Sequence, residues 1–390
     1  MRRNLLVLFA CFILPGIKGA AQLQFANPPL QGVEGQDYFI VNYMDHDTTA
    51  GLKDYECGDK TYQGHTGTDF VLRSFKTMDS GVYVKAVANG RVFITKDSLF
   101  DRNKHTNAAG FGNYIGINHN SQYYTYYAHL MKYSLLVQVG DSVVAGQNIA
   151  KVACSGNCTD PHVHLEVYDN NSVLVDPFTG PCQSATAGLW TSQPFYDTSL
   201  KIIDIGFTPY VPNLDTLRER YNVRDTFRVG IDTTVNFWIQ MQGLHAGDSL
   251  RTDWYTPGGT YWFSYTYVQD SDAWYNYYWT YINMPDTIGK WTTRFYINNN
   301  LVASRNFYVV HPTGINETGI INAVFEISPN PCEEKLIVHN TMDQPYILTD
   351  MTGRKIAQYP ASVKAISMAS LPKGMYLLKC GSVVKKVVKE

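Results

Sequence analysis

The chain has 390 residues, which is too long for one ordinary domain and predicts two or three. Hydrophobic residues make up 45% and charged residues 17%, a balance that excludes an extended disordered protein. The net charge of -2 provides no footprint for a polyanion, so we expect no nucleic-acid partner. Strand-favouring residues, with 28 tyrosines among the aromatics, far outnumber helical patterns, and this predicts an all-β protein.

The first 21 residues have the pattern of a cleaved secretory signal peptide. Arg2 and Arg3 form a basic start, Leu5–Leu14 is apolar, and Gly19–Ala21 supplies small residues for cleavage. The apolar run is too short to span a bilayer, and no other stretch is apolar enough, so we expect no membrane span. A weak lipoprotein-like box ends at Cys11, but the apolar run continues past it. We therefore expect a secreted or cell-surface protein.

Export changes the interpretation of the cysteines. Removing the signal peptide leaves six, and an even number in an exported chain favours disulfides over a thiolate metal site. Proximity in the sequence suggests three pairs, with buried free thiols as the alternative. The predicted pairs are Cys57–Cys182, Cys154–Cys158 and Cys332–Cys380.

An irregular lead-in over residues 22–60 precedes a run of short strands. From Gly64 to about Asp176, strand-like segments alternate with glycine-containing turns: "VYVKAV", "GRVFIT", "YIGINH", "YYTYYAHL", "SVVAGQNIAKVA" and "HVHLEVYD". This regular spacing is typical of an all-β sandwich or barrel-like core. We assign this domain to residues 61–185.

A second β domain follows at residues 193–312, where the strands become longer and richer in aromatic residues. The segment "GKWTTRFYINNNLVASRNFYVV" predicts two strands joined through Asn298, Asn299 and Asn300. Ig-like sandwiches of about 100 residues are built in this way. Its aromatic residues could stack on sugar rings, a possible glycan contact, although core and cross-strand packing explains most such residues. A linker at 313–322 leads to a small β unit at 323–390.

The stretch "DPHVHLEV" places two histidines and a carboxylate in one phase of a strand. Because alternate side chains of a strand share a face, His162, His164 and Glu166 should point the same way. A lone H-x-H on a strand is more often a packing feature than a metal site. Here it occurs with His65 and Asp69 of "GHTGTDF" and with the histidine of "YYAHL".

These histidines and the aspartate fit the needs of a catalytic zinc site. Zinc in such sites takes three protein ligands and keeps a position open for water, and imidazole and carboxylate both suit it. The candidates therefore offer three ligands and two groups free for proton transfer, but spacing alone does not tell which three bind. The five candidates are His65, Asp69, His129, His162 and His164.

The order of these motifs resembles the lysostaphin/LytM-type zinc metallopeptidases, which cleave peptide cross-links of bacterial cell walls. The matching segments are "GHTGTD", "VKAVANGRV", "GFGNYIGINH", "YYTYYAHL", "VQVGDSVVAGQNIAKV" and "DPHVHLEV", over about residues 60–177. The resemblance implies a LytM-type β-sheet fold and a secreted zinc metalloendopeptidase. Its substrate would be peptide bonds, in peptidoglycan stem or cross-link peptides.

The same resemblance implies a division of labour among the candidates. His65, Asp69 and His164 would bind zinc, and His129 and His162 would be the catalytic histidines. A zinc-activated water would attack the peptide bond while the two unmetallated histidines handle protons and charge.

Glu166 would then orient a neighbouring group without binding the metal itself, or it is a plain surface residue of the strand. The rival interpretation is a non-catalytic cell-wall or carbohydrate-binding or regulatory protein on a LytM-type scaffold. Such relatives usually lack ligands or catalytic histidines, whereas all five positions are filled here. Two segments depart from the family pattern, "CSGNCTDP" and the long "KDSLFDRNKHTNAAG", in which we interpret His105 as a solvated loop residue.

The C-terminal region carries a second resemblance. "ISPNPCEEKLIV", "LTDMTGRKI" and "ISMASLPKGMYLLKCGSVVKKVVKE" are similar to the C-terminal sorting domain of Bacteroidetes type IX secretion substrates, over about residues 323–390. The resemblance implies that the type IX secretion machinery is a partner and that the protein leaves the cell or is anchored at its surface.

Overall fold

The structure is a computed structural model, and it forms two compact units, one ending at Pro312 and the other beginning at Thr313. The predicted signal peptide and the predicted linker lie outside the residues that it describes. The described residues are 23–107, 109–120, 122–183, 187–220, 223–312, 325–340, 344–381 and 383–390. Nearly all their regular structure is β, which confirms the predicted fold class.

The first part of the larger unit contains nine strands and a short helix in its described residues. The elements are β1 (Tyr38–Asn42), β2 (Thr68–Leu72), α1 (Phe75–Asp79), β3 (Tyr83–Lys85), β4 (Gly90–Lys96), β5 (Tyr114–His119), β6 (Tyr123–Ala128), β7 (Ser142–Val143), β8 (Asn148–Lys151) and β9 (His162–Asp169). Seven of these strands form one antiparallel sheet in the order β1-β2-β9-β6-β5-β4-β7, and β3 pairs with β8. The lead-in is therefore less irregular than predicted, because β1 forms an edge of this sheet.

Strand β9 lies inside the sheet and has two different faces. Val163, Leu165 and Val167 are buried in the main hydrophobic core. The alternate residues, including His162 and His164, point to the opposite face, as the period of two predicts. Burying three aliphatic side chains stabilises the strand by several kcal/mol, at about 1.5–3 kcal/mol each. This packing fixes the polar face that carries the candidate site.

The second part of the larger unit is a two-sheet β domain with one short helix, which we call the middle domain. Its elements are β10 (Lys201–Thr208), α2 (Leu214–Glu219), β11 (Thr226–Arg228), β12 (Thr234–Gln242), β13 (Ser249–Tyr255), β14 (Tyr261–Val268), β15 (Asn276–Asn283), β16 (Gly289–Ile297) and β17 (Asn300–Val310). The sheets have the orders β10-β12-β15 and β11-β17-β16-β13-β14. Asn298 and Asn299 join β16 to β17 with φ angles of 50° and 65°, a left-handed turn suited to asparagine and to a tight hairpin.

The two parts of the larger unit share a small apolar cluster. Phe39, Val41 and Val71 from strands β1 and β2 are buried with Ile203 of β10, and Tyr275 packs against them. The Tyr275 hydroxyl also donates to the carbonyl of Leu72 at 3.0 Å. The sequence boundary near residue 190 thus falls within one continuous packed unit.

The C-terminal unit contains two small sheets. Its strands are β18 (Phe325–Ser328), β19 (Lys335–Asn340), β20 (Tyr346–Asp350), β21 (Lys355–Tyr359), β22 (Ala365–Ser367), β23 (Gly374–Cys380) and β24 (Val383–Lys389). The sheet orders are β18-β19-β22 and β21-β20-β23-β24, enclosing a core that includes Leu336, Tyr346 and Leu378. In the described residues of both units, neither helix approaches the length or hydrophobicity of a membrane span.

Two of the three predicted disulfides form, and the third prediction is wrong. Cys57 bonds Cys182, and Cys154 bonds Cys158. Cys332 and Cys380 are buried thiols instead. Cys332 lies beside Lys389 at one end of β24, whereas Cys380 pairs with Val383 at the other end. A strand of this length separates them by roughly 20 Å, far more than the roughly 7 Å that a disulfide spans between Cα atoms.

Candidate active site

Pairing between β2 and β9 brings the first candidates together. Asp69 stands directly opposite His164, and Val71 stands opposite His162. Directly paired residues of antiparallel strands project from the same face, so Asp69 and His164 meet. His65 lies in the loop that leads into β2, close enough to complete a cluster with them.

Three side-chain atoms of this cluster converge on one point. The Asp69 Oδ1 atom is 3.2 Å from His65 Nε2 and 2.8 Å from His164 Nδ1. His65 Nε2 and His164 Nδ1 are 3.2 Å apart. All three residues are buried. Among the described residues, His65, Asp69 and His164 form the group of His, Cys, Asp and Glu side chains that lie close enough together to hold a metal ion.

The outward-facing atoms of the same side chains have hydrogen-bond partners. His65 Nδ1 donates to the Tyr43 carbonyl at 2.7 Å, and His164 Nε2 bonds Glu166 Oε1 at 3.0 Å. Since a carbonyl oxygen only accepts, the His65 hydrogen lies on Nδ1 and leaves Nε2 free to bind a metal. Glu166 orients His164 in the same manner, an arrangement common behind metal-bound histidines.

The donor set fits a zinc ion. Tetrahedral zinc with ligand bonds of 2.0–2.1 Å separates neighbouring ligand atoms by about 3.3 Å. The three separations measured here are 3.2, 2.8 and 3.2 Å. Two imidazoles and a carboxylate are donors that zinc accepts, and three protein ligands leave a fourth position.

The electrostatics of the cluster also suit a cation. Burial acts to raise the pKa of Asp69, but His65, His162 and His164 outweigh it and hold that pKa well below its usual value. Burial acts to lower the pKa of His164, but Asp69 and Glu166 outweigh it and raise the pKa to about 9. Without a metal, a proton on His164 thus offsets the negative charge of the buried carboxylates. A bound divalent cation would offset that charge instead, and His164 would release the proton.

His129 and His162 form a second pair beside the cluster. Their ring centroids are 4.5 Å apart, and His162 Nε2 is 3.5 Å from Asp69 Oδ1. His129 Nδ1 donates to the Ser155 carbonyl and His162 Nδ1 to the Asp160 carbonyl, both at 2.7 Å. Burial lowers the pKa of both imidazoles. Each ring is therefore neutral near pH 7, with Nε2 as the nitrogen that can accept a proton.

Gly67 makes room for the cluster between the two strands. A Cβ atom at this position would lie 2.5 Å from the Leu165 carbonyl oxygen and 2.9 Å from His164 Cε1. Such contacts are far inside van der Waals distance, so any side chain here would push His164 away from its position. The second glycine of "GHTGTD" therefore serves the site by its lack of a side chain.

Two loops border the site on the side of His129 and His162. The disulfide loop (residues 154–160) is closed by Cys154 and Cys158, and the long loop (residues 97–107 and 109–110) packs against it. Gly156 is at the contact, where a Cβ would be 2.4 Å from the Gly110 carbonyl oxygen. The side chain of His105 is 79% exposed, in agreement with a solvated loop residue.

The structure brings all six sequence candidates to one place, but sequence reasoning missed their supports. The missed groups are main-chain carbonyls of Tyr43, Ser155 and Asp160, which any residue type could supply. The Tyr62 ring stacks on His65, with centroids 4.3 Å apart, and it was also missed. The position of this tyrosine, three residues before His65 in the sequence, is the feature from which the stacking could have been predicted.

Comparison with protein families gives two matches. Residues 63–177 match the family described as Peptidase family M23, and residues 326–390 match the family described as Secretion system C-terminal sorting domain. The first region contains every candidate site residue. The second agrees with the sorting domain that the sequence predicted at 323–390.

Curated relatives match over the peptidase region. Peptidoglycan DD-endopeptidase ShyB of Vibrio cholerae is 38% identical over 107 residues, which are 27% of this chain and 21% of that protein. Lysostaphin of Staphylococcus simulans is 35% identical over 117 residues, 29% of this chain and 20% of that protein. The match thus spans about a fifth of the length of these relatives.

Solved structures give similar matches. The catalytic domain of lysostaphin from Staphylococcus simulans is 27% identical, with a TM-score of 0.24, over 35% of this chain and 85% of that one. A zinc-containing peptidase from Vibrio cholerae is 26% identical, with a TM-score of 0.26, over 40% of this chain and 41% of that one.

Proposed function

We propose that this chain, which carries a peptidase family M23 domain at residues 63–177 and a secretion sorting domain at 326–390, is a secreted zinc metalloendopeptidase. Its substrates would be peptide bonds in peptidoglycan stem or cross-link peptides. The observation that carries the proposal is the convergence of His65 Nε2, Asp69 Oδ1 and His164 Nδ1 at zinc-like separations. The relatives, a peptidoglycan DD-endopeptidase among them, support the choice of substrate.

In this proposal His65, Asp69 and His164 hold the zinc ion. The chemistry that zinc supplies when bound is activation of water and polarisation of the scissile carbonyl. Glu166 keeps the His164 ring turned toward the metal through the bond to Nε2. The burial of all these groups excludes bulk water and strengthens their electrostatic effect on the substrate.

His129 and His162 carry the proton transfers. Their Nδ1 hydrogens are held by main-chain carbonyls, so Nε2 of one ring can accept a proton from the attacking water. Transfer of a proton to the departing amine and stabilisation of the developing negative charge complete the role of the pair. The short distance between the rings supports a joint function.

The experiment that tests the proposal is digestion of purified peptidoglycan by the full chain, followed by mass analysis of the released fragments. We expect new peptide ends with the zinc-loaded protein, none after treatment with a chelator, and recovery on adding zinc. Zinc-loaded protein that leaves peptidoglycans and cross-link peptides intact would favour the non-catalytic cell-wall-binding alternative. The masses would also identify the scissile bond.

We further infer that the middle domain contacts glycan through strand β14. Trp262, Tyr265 and Tyr281 are 55%, 46% and 48% exposed, and they line a groove of about 930 Å³ between β14 and β15. Uncharged rings with polar tips suit the faces and hydroxyls of sugars. Binding of the full chain to insoluble peptidoglycan tests this, with Trp262→Ala and Tyr265→Ala against Tyr308→Ala, an exposed tyrosine of β17. Equal retention of all three variants would contradict it.

Export completes the proposal. The sorting domain indicates secretion or display at the cell surface. Residues 1–21 would act first as a signal peptide, and the type IX machinery would then recognise the C-terminal unit. Deleting residues 323–390 should leave the protein inside the cell envelope, which fractionation and immunoblotting would detect.

A further inference from the structure

Helix α2 of the middle domain lies against both loops that border the candidate active site. Asp215, Arg218 and Glu219 are three and four residues apart, so they share one face of the helix. Each of them contacts the peptidase part of the unit. These contacts belong to the long loop and the disulfide loop, the two segments in which the sequence departs from its family.

The first set of contacts holds the long loop. Glu219 bonds Arg102, whose Nε donates to Oε1 at 3.1 Å, and it pairs with Lys104 Nζ at 2.6 Å. Arg218 Nη1 donates to the Lys104 carbonyl at 3.0 Å. Asn103, between Arg102 and Lys104, is itself bonded to the carbonyls of Cys154 and Gly156 at 2.9 and 2.8 Å. The helix, the long loop and the disulfide loop are thus tied together.

The second contact connects helix α2, through Asp160, to the catalytic candidate His162. Arg218 Nε donates to Asp160 Oδ1 at 3.1 Å, with side chains only 13% and 12% exposed. The Tyr277 hydroxyl lies 3.4 Å from the same oxygen. The main-chain carbonyl of Asp160 accepts the Nδ1 hydrogen of His162 at 2.7 Å. This part-buried ion pair therefore engages the side chain of the residue whose carbonyl orients the His162 ring.

The helix can act as a support because it is anchored to its own domain. Leu217 packs in a buried cluster with Trp238 and Tyr277. Arg220 closes the helix with a φ of 61° and lays its guanidinium 4.0 Å from the centre of the Trp238 ring. Gln240 Nε2 donates to the Tyr277 hydroxyl at 2.9 Å, which joins the sheet to the same network.

We propose that helix α2 is a working part of the active site and that Arg218 is a positioning residue. Through Asp160 it holds His162 in the orientation that leaves Nε2 directed to the reacting atoms. The consequence for turnover rests on the proposed peptidase function. The positioning of His162 does not, because it can be measured without a substrate.

The test compares Arg218→Gln with Arg228→Gln, a control at an exposed arginine of strand β11 in the same domain. The full chain is loaded with zinc, and zinc content, kcat, KM and the imidazole ¹⁵N–¹H spectrum are measured, with His162→Gln to assign the His162 signal. We expect R218Q to keep its zinc and to lose kcat by about 10- to 100-fold at a nearly unchanged KM, since small displacements of catalytic groups have effects of this size. The Nδ1 hydrogen of His162 should exchange faster, and R228Q should match the wild type.

A double variant covers the case in which R218Q is too unstable to study. Asp160→Asn with Arg218→Gln removes both charges, so no unpaired charge is left buried, yet the ion pair is still absent. We expect this variant to fold with a fast-exchanging His162 signal. An unchanged His162 signal and kcat in either folded variant would overturn the proposal. If wild-type protein cleaves nothing, the peptidase proposal fails, while the His162 signal still decides the role of Arg218.

Discussion

Substitution of Glu166 by glutamine tests how the proposed zinc site is supported. Glu166 Oε1 accepts from His164 Nε2 at 3.0 Å, and Oε2 accepts from the Tyr168 hydroxyl at 2.7 Å. Thr66 also donates to Oε1. Glutamine keeps the shape but has one acceptor oxygen, so it cannot serve both ends, and it lacks the charge that strengthens the bond to His164.

We expect the zinc dissociation constant of E166Q to rise by about 10- to 100-fold, the usual effect of removing a hydrogen bond behind a metal-bound histidine. This corresponds to about 1.4–2.7 kcal/mol of binding free energy. Competition with a chelating dye at neutral pH measures the constant directly. At saturating zinc, kcat should recover to near the wild-type value because the proposed catalytic histidines, His129 and His162, are untouched.

Tyr168→Phe is the matched control for this experiment. It removes one hydrogen bond to the other oxygen of Glu166 and leaves the carboxylate charge and the bond to His164 in place. We expect less than about a three-fold change in zinc affinity, in keeping with a neutral hydrogen bond at a distance from the metal. An E166Q protein that binds zinc as tightly as the wild type would refute the assignment of Glu166 as the support of His164.

Substitutions at the proposed catalytic histidines, at Gly67 and at Lys60 each have an expected outcome. His129→Ala and His162→Ala should each keep zinc but lose kcat by about 100- to 10,000-fold, because they remove proton transfer and not a ligand. Gly67→Ala should weaken zinc binding without removing any ligand, since its Cβ would meet His164 at 2.9 Å. Burial lowers the pKa of Lys60 from 10.5 to about 8, so the unfolded chain binds more protons between these values. The free energy of unfolding should therefore rise by up to about 3 kcal/mol across that pH range relative to Lys60→Met, measured by denaturant titration.

Controls and contrary outcomes are available for each. His245→Ala, at an exposed histidine of the middle domain, should leave kcat unchanged, and full activity in zinc-replete H162A would remove His162 from the mechanism. Gly258→Ala is the control for Gly67→Ala, because its Cβ would have no neighbour closer than 3.9 Å. If the free energy of unfolding of wild type and of K60M changed with pH in the same way, Lys60 would not be held in its buried position.

Local patterns predicted the residues of the site, and non-local pairing determined its geometry. The alternation of "HVHLEV" correctly separated the core-facing from the site-facing side chains because a strand has a period of two. The meeting of Asp69 with His164, 95 positions apart, depends on the register of β2 with β9, which no local pattern specifies. The carbonyls that orient His129 and His162 were invisible because every residue type carries one.

Two other features could not be predicted for related reasons. Helix α2 has six residues, and its one local signal is the capping box between Asn213 and Thr216, which is easily overlooked among strands. The pairing of Cys332 with Cys380 was inferred from their nearness in sequence, whereas strand β24 places them at opposite ends. Cysteine counts constrain connectivity only weakly when the strand order is unknown.

The apolar cluster of Phe39, Val41 and Val71 with Ile203 has a practical consequence for work with fragments. A piece cut near residue 190 would expose Phe39 and Val41 on β1, the outer strand of its sheet, and Val71 on the adjacent strand β2. Uncovered apolar edge strands promote aggregation. Low solubility or activity of such a piece would reflect the loss of the middle domain that covers these side chains, and not a defect in the proposed catalytic residues. Recombinant fragments are better ended at Pro312, where the compact unit ends.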